Sequence, residues 1–211
     1  ADSIVPGVTT ATSTAAPPTP TNPQASNRCE GFKDVTSTDQ LCPAIKFVKE
    51  RNIFSGYPDG SFKPNNVINR VETTKVILVA FGKTLKSCAG NDGFKDSDVT
   101  QWYCTYVHTA KLLGILKGYP DGTLRPTQQI NRVEMLKVFF AGMGKDLSSI
   151  AVDANPYPDT PKDQWYANSV QLAKTNALID PDVSGKFNPA SGMKRGDVAL
   201  LFYRAHLASM L

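Results

Sequence analysis

Residues 56–64 read GYPDGSFKP, and NRVE follows at 69–72; residues 118–126 read GYPDGTLRP, and NRVE returns at 131–134. In each copy a proline that fixes φ stands ahead of Asp-Gly, which makes YPDG a tight turn with Gly60 available for positive φ. Asn69 and Glu72 have the spacing of a capping box, in which the N-cap and N3 side chains satisfy each other's backbone donors at a helix start. Turn and cap together predict a loop that feeds a helix. They do not explain Arg70 and Arg132, because a cation in the first helical turn opposes the helix dipole by roughly 0.3–1 kcal/mol. The helix start leaves the repeated positive charge unexplained, and something else is expected to use it.

The repetition extends in both directions and has three copies. GFKD at 31–34 recurs at 93–96 and weakly as PYPD at 156–159, while Trp102-Tyr103 recurs as Trp165-Tyr166. The third copy has GKFNP at 185–189 and KRGD at 194–197, so Arg195 repeats the arginine although Lys194 is a poor cap and Gly196 weakens a helix start. The units run over 28–90, 91–153 and 154–211. Within each, the apolar periodicity reads helix, long loop, helix. Leu41, Ile45, Val48 and Ile53 form the first helix's stripe in unit one, Tyr106, Ala110 and Leu113 in unit two, and Val170, Ala173 and Ala177 in unit three. The second helices are apolar around much of their circumference, which predicts a shared central bundle.

These motifs, in this order, resemble the S-layer homology (SLH) domain family: an F-x-D opening, an aromatic-led first helix, a GYPDGTF-like loop, and an ITRAE-like helix start that here reads INRVE at 68–72 and 130–134. The resemblance covers the chain from Gly31 to about Arg204. It implies a mainly α fold, a pseudo-threefold assembly of three helix-loop-helix repeats around a central three-helix bundle. It also implies non-covalent attachment of surface-layer or other exported proteins to the bacterial cell wall. The implied partner is a secondary cell-wall polysaccharide, anionic and commonly pyruvylated, held in grooves between repeats.

On this sequence the family's arginine falls on Arg70, Arg132 and Arg195, and a guanidinium can hold a pyruvyl carboxylate through two parallel hydrogen bonds. Asp59, Gly60 and Ser61, with Asp121, Gly122 and Thr123, match the family's second ligand element. Trp102 and Trp165 could stack on a sugar face, although a tryptophan opening a helix also serves a core. The third unit has DPDVSGKF at 180–187 in place of the YPDG loop. The competent grooves are therefore expected to use the first two units, with Arg195 the weakest of the three arginines. The alternative reading is a protein-protein module joining S-layer subunits in a surface lattice.

Cys42 and Cys104 are equivalent positions, and Cys29 and Cys88 each precede the opening of their own unit. No C-x-x-C pair suggests zinc. Local bridges Cys29–Cys42 and Cys88–Cys104 are expected, consistent with an extracytoplasmic setting. Residues 1–27 hold five prolines, many Thr, Ser and Ala and one charge, the composition of an extended linker. The net charge of +4 is dispersed, which argues against nucleic acid, and the longest apolar run, 76–81, is too short for a membrane span. The start lacks a signal peptide's charged and apolar regions, so any leader is expected to have been removed, or the chain is a fragment. No calcium loop, HExxH, G-x-S-x-G or Cys-His arrangement is present, and the expectation is a protein without cofactor, metal or catalytic activity.

Overall fold

Six helices occupy the described residues, 27–88 and 93–211, of the computed structural model: α1 (Cys42–Glu50), α2 (Arg70–Ala80), α3 (Cys104–Leu112), α4 (Arg132–Met143), α5 (Ala167–Thr175) and α6 (Arg195–Leu207). Among these residues the fold is mainly α-helical, with a short 3-10 turn at Cys29–Gly31 and isolated β-bridges in addition. Apart from Asn27, the linker expected over 1–27 lies outside the described residues.

The second helix of each repeat begins where the cap predicts. Asn69 Oδ1 accepts from the Glu72 N–H at 2.9 Å, and Glu72 returns the bond to the Asn69 N–H at 3.0 Å. Asn131 and Glu134 repeat the exchange at 2.8 and 3.1 Å. In the third repeat Asp197 accepts from the Lys194 N–H at 3.4 Å, but the lysine has no acceptor to complete the box. Gly196 has its own reason: a Cβ there would stand 2.7 Å from Leu41 Cδ1 and 3.1 Å from the Pro64 carbonyl. The residue expected to weaken α6 is the one that lets the entry to α1 and the first loop approach it.

The first helices stop at residues in the left-handed region, Asn52, Gly114 and Ala177, with φ of 56°, 69° and 50°. The following N–H groups then turn back to the carbonyls of Val48, Ala110 and Ala173. Leu113 and Ala177, read as part of the apolar stripes, consequently lie past the helix ends and are exposed. Ala177 is the one of the three caps with neither a glycine's freedom nor an asparagine's local hydrogen bonding. Ala177→Gly should raise stability by about 0.5–1 kcal/mol, the strain relieved exceeding the added chain entropy. A denaturant midpoint that falls would rule this out.

Both expected disulfides are present, with Cα–Cα separations of 5.6 Å for Cys29–Cys42 and 5.7 Å for Cys88–Cys104. Each joins the segment entering a repeat to the first residue of its first helix. The third repeat has Ala167 at that position.

Packing between repeats is cyclic. α3 packs on α2, α5 on α4, and α1 on α6, so each first helix lies against the second helix of the preceding repeat and the third repeat connects back to the first. A ring of three backbone hydrogen bonds runs the same way just ahead of the second helices: Ile130 donates to Ile68, Met193 to Ile130, and Ile68 to Met193, at 3.1, 2.9 and 2.9 Å. Phe81, Phe139 and Phe202 meet among α2, α4 and α6 with ring centroids 5.2–5.9 Å apart. Gly142 admits this contact, since a Cβ would meet Ile77 at 2.4 Å.

The loop between helices is held by the aspartate of the F-x-D opening. Asp34 accepts from the backbone N–H groups of Phe62 and Lys63 at 2.8 and 2.7 Å. Asp96 does the same for Leu124 and Arg125, and Asp159 for Phe187 and Asn188. The phenylalanine two residues earlier seats below a glycine: a Cβ on Gly56 or Gly118 would lie 2.4 Å from the ring of Phe32 or Phe94. This gives the repeated GFKD and the glycine of GYPDG one joint purpose, to set the loop against its own first helix.

Candidate functional site

The cyclic packing carries each arginine to the loop of the next repeat. Arg70 Nε donates to the Leu124 carbonyl at 2.8 Å, and Arg195 Nε to the Phe62 carbonyl at 2.9 Å. The second loop is thus served by the first repeat's arginine and the first loop by the third's. Arg132 faces the diverged third loop, where its Nη2 donates to the Asp180 carbonyl at 2.6 Å and its Nε is buried with no acceptor. Chain order suggested that Arg195, in the altered repeat, was the weakest candidate. The structure instead seats Arg195 at an intact loop and Arg132 at the altered one.

Two grooves of like construction follow. The first, of about 320 Å³, is lined by Phe54, Tyr57, Glu72, Lys75, Trp102 and Arg195. The second, of about 490 Å³, is lined by Leu116, Tyr119, Glu134, Lys137, Trp165 and Arg70. Each draws its tryptophan from the following repeat and its arginine from the preceding one. Trp102 and Trp165 are 53% and 58% exposed, so they stand on the groove rims instead of in the core. The Lys75 and Lys137 ammonium groups lie 5.7 and 4.8 Å from their ring centroids. Such an aromatic face beside a cation suits a sugar ring that carries a negative charge.

Arg195 is only 7% exposed and lies over three rings, Phe54, Tyr57 and Phe62, at 4.5, 4.6 and 5.1 Å. Among the described residues only Nε has a protein acceptor, and no carboxylate oxygen comes within salt-bridge distance. Burial pulls its pKa below the ordinary arginine value, with Tyr57 and then Glu72 opposing the shift. A guanidinium remains charged nonetheless, so the terminal amino groups are cationic donors in want of an anion. Arg70, 6% exposed, is more committed: Glu134 lies 3.6 Å from its Nη1, and Glu134 also accepts from the Tyr119 hydroxyl at 2.8 Å. Desolvation, followed by that bond, raises the Tyr119 pKa.

The third groove is built differently. Gln40 stands in place of the tryptophan, Leu200 in place of the lysine, and Asp182 in place of the tyrosine. Arg204 spans it to Asp180 at 2.6 Å. Two carboxylates, Asp39 and Asp180, and one cation, Arg204, line it, which disfavours an anionic ligand.

The loop tips are occupied with their own turns. Asp59 accepts from the Ser61 hydroxyl and N–H at 2.5 and 3.0 Å, and Ser61 is 2% exposed. Asp121 holds Thr123 in the same way, and Asp182 holds Ser184. Asp59, Gly60 and Ser61, with Asp121, Gly122 and Thr123, lie outside the walls of the two grooves; Gly56 and Tyr57 of the first loop and Gly118, Tyr119 and Pro120 of the second line them instead. The Ser61 hydroxyl bond, then its backbone bond, hold the Asp59 pKa at about 2. A depressed carboxylate stabilises its turn above its ordinary value near 4, and the contribution is lost as pH falls through the depressed value. The Asp59 carboxyl carbon should therefore titrate with a midpoint at about 2 in an NMR series, and a midpoint near 4 would show the turn to be open.

Sequence reasoning missed Lys75, Lys137, Tyr57 and Tyr119. A signal was there: Lys and Tyr recur in repeats one and two and are replaced together in repeat three.

The S-layer homology domain profile matches residues 31–74, 93–136 and 156–199. The chain belongs to the S-layer homology domain family. The three matched SLH segments each run from the opening aspartate motif, F-x-D in the first two and Tyr157-Pro158-Asp159 in the third, into the second helix. The SLH chain is 33% identical over 68% of its length to a cellulosome-anchoring protein of Acetivibrio thermocellus, covering 32% of that protein. It is 29% identical over 74% of its length to cell surface glycoprotein 1 of the same organism, covering 7% of it. Against a surface layer protein of Brevibacillus choshinensis it is 26% identical over 55% of its length, covering 11% of that protein. The SLH chain thus spans a third or less of the length of these relatives.

Proposed function

We propose that this chain attaches a surface polypeptide to the bacterial cell wall, without catalysis, by holding an anionic, pyruvylated wall polysaccharide in its first and second grooves. The observation that carries the reading is Arg195: more than nine-tenths buried, caged by three rings, its terminal amino groups without a hydrogen-bond acceptor among the described residues, on a groove with an exposed tryptophan. A carboxylate meets that fork through two charge-assisted bonds, while the sugar ring lies on Trp102. Anchoring relatives and an extracytoplasmic disulfide pattern support the cell-surface setting. Of the described residues, none lies in a helix long and apolar enough to cross a membrane.

The test is retention on purified wall polysaccharide before and after mild acid hydrolysis of the pyruvyl ketal. Binding that is lost on hydrolysis supports the proposal. Binding unchanged by hydrolysis removes the carboxylate from the mechanism, and absence of binding to either form favours the protein-protein alternative.

A further inference from the structure

The two intact grooves differ in ways that bear on ligand charge. Position for position, Ser55 and Phe54 of the first groove become Lys117 and Leu116 in the second. The first groove therefore has two cations and one carboxylate, Lys75, Arg195 and Glu72, and the second has three cations and one carboxylate, Arg70, Lys117, Lys137 and Glu134. Their arginines differ as well. Arg195 is unpaired inside an aromatic cage, whereas Arg70 already has Glu134 at 3.6 Å, itself held by Tyr119. What remains uncompensated in the second groove is a pair of exposed lysines, one at each side of the tyrosine loop and α4.

We infer that the grooves read different charge states: the first takes a single carboxylate on a sugar, and the second takes a glycan segment bearing two or more negative charges, with Ser55 and Lys117 as the residues that set the difference. The inference rests on the wall-glycan reading given above. In the first groove the anion meets one buried fork held among three rings, with Lys75 the single exposed ammonium group beside it, and its affinity depends less on salt. In the second the additional charge is met by flexible, solvated ammonium groups, so the preference is modest and screened by salt.

The chain has two tryptophans, one per groove, so their indole N–H signals report the grooves separately in one sample. The probes are the methyl glycoside of a pyruvylated amino sugar, which has one carboxylate, and the same glycoside with an added phosphate monoester. Trp102→Phe assigns the two signals. The Trp165 signal should report about threefold to fivefold tighter binding of the phosphorylated probe at low salt, a ratio that shrinks toward one at high salt, while Trp102 reports no such preference. Lys117→Ser should abolish the preference at Trp165, and Ser55→Lys should create it at Trp102. Both positions are exposed, so neither variant threatens the fold. Equal probe ratios in the two grooves, or a preference that survives Lys117→Ser, overturn the division while leaving the glycan reading intact. If neither probe binds the wild-type chain, the glycan reading fails and this inference fails with it.

Discussion

Asp34→Ala should lower the stability of the chain by about 1.5–3 kcal/mol, a large effect for an exposed side chain. The carboxylate accepts two backbone N–H groups, from Phe62 and Lys63, and the Phe62 side chain is fully buried. Removing it leaves the part-buried Phe62 N–H without its acceptor, whereas the Lys63 N–H bond lies at the surface, where water can replace it; a shielded bond to a charged acceptor contributes about 1.5–3 kcal/mol. The melting temperature should fall by roughly 5–10 °C for a domain of this size. Asp34→Asn retains one carbonyl acceptor and should lose about half as much. Because Arg195 Nε is anchored on the Phe62 carbonyl, the same substitution should also loosen the first groove and weaken ligand binding there. A loss below about 1 kcal/mol would mean that the loop is held by its turn alone.

The role of Asp34 was hidden for a particular reason. In the sequence, F-x-D looks like an opening signature, and nothing in its spacing says that its carboxylate reaches residues 28 and 29 positions further on. The repeats themselves, the starts of the second helices and the two local disulfides were legible, because each is a local pattern: a cap three residues long, or a cysteine position repeated at the unit spacing. The exchange between repeats was not. Chain order places Arg70 beside the first loop, whereas the packing of α3 on α2 delivers it to the second. A tandem repeat specifies its own interior, but which neighbour supplies each wall of a groove follows from how the repeats close on one another. Ser61 shows the same limit on a smaller scale, for a hydroxyl at a polar loop tip reads as a ligand group until its burial against Asp59 is seen.

Replacing the three arginines one at a time should separate their roles. Arg195→Ala should reduce affinity at the first groove by roughly tenfold to a hundredfold, since charge-assisted bonds contribute about 1.5–3 kcal/mol. It should also cost about 1–3 kcal/mol of stability, because the Phe62 carbonyl loses its donor and the aromatic cage loses its cation. Stability and binding are therefore lost together here, which a role in ligand binding alone would not produce. Arg195→Lys keeps the charge but neither the planar fork nor the Nε bond, so it should restore only part of the affinity. Arg70→Ala should act on the second groove alone and leave Glu134 without its cationic partner. Arg132→Ala should leave both grooves unaffected, because that side chain is turned to Asp180 and Phe187, and it removes a buried N–H that has no acceptor. Titration with a pyruvylated oligosaccharide, followed at the Trp102 and Trp165 indoles and paired with melting curves, reads all four variants. An equal loss of binding from Arg132→Ala and Arg195→Ala would mean that the third groove takes the same ligand, against the charge of its walls.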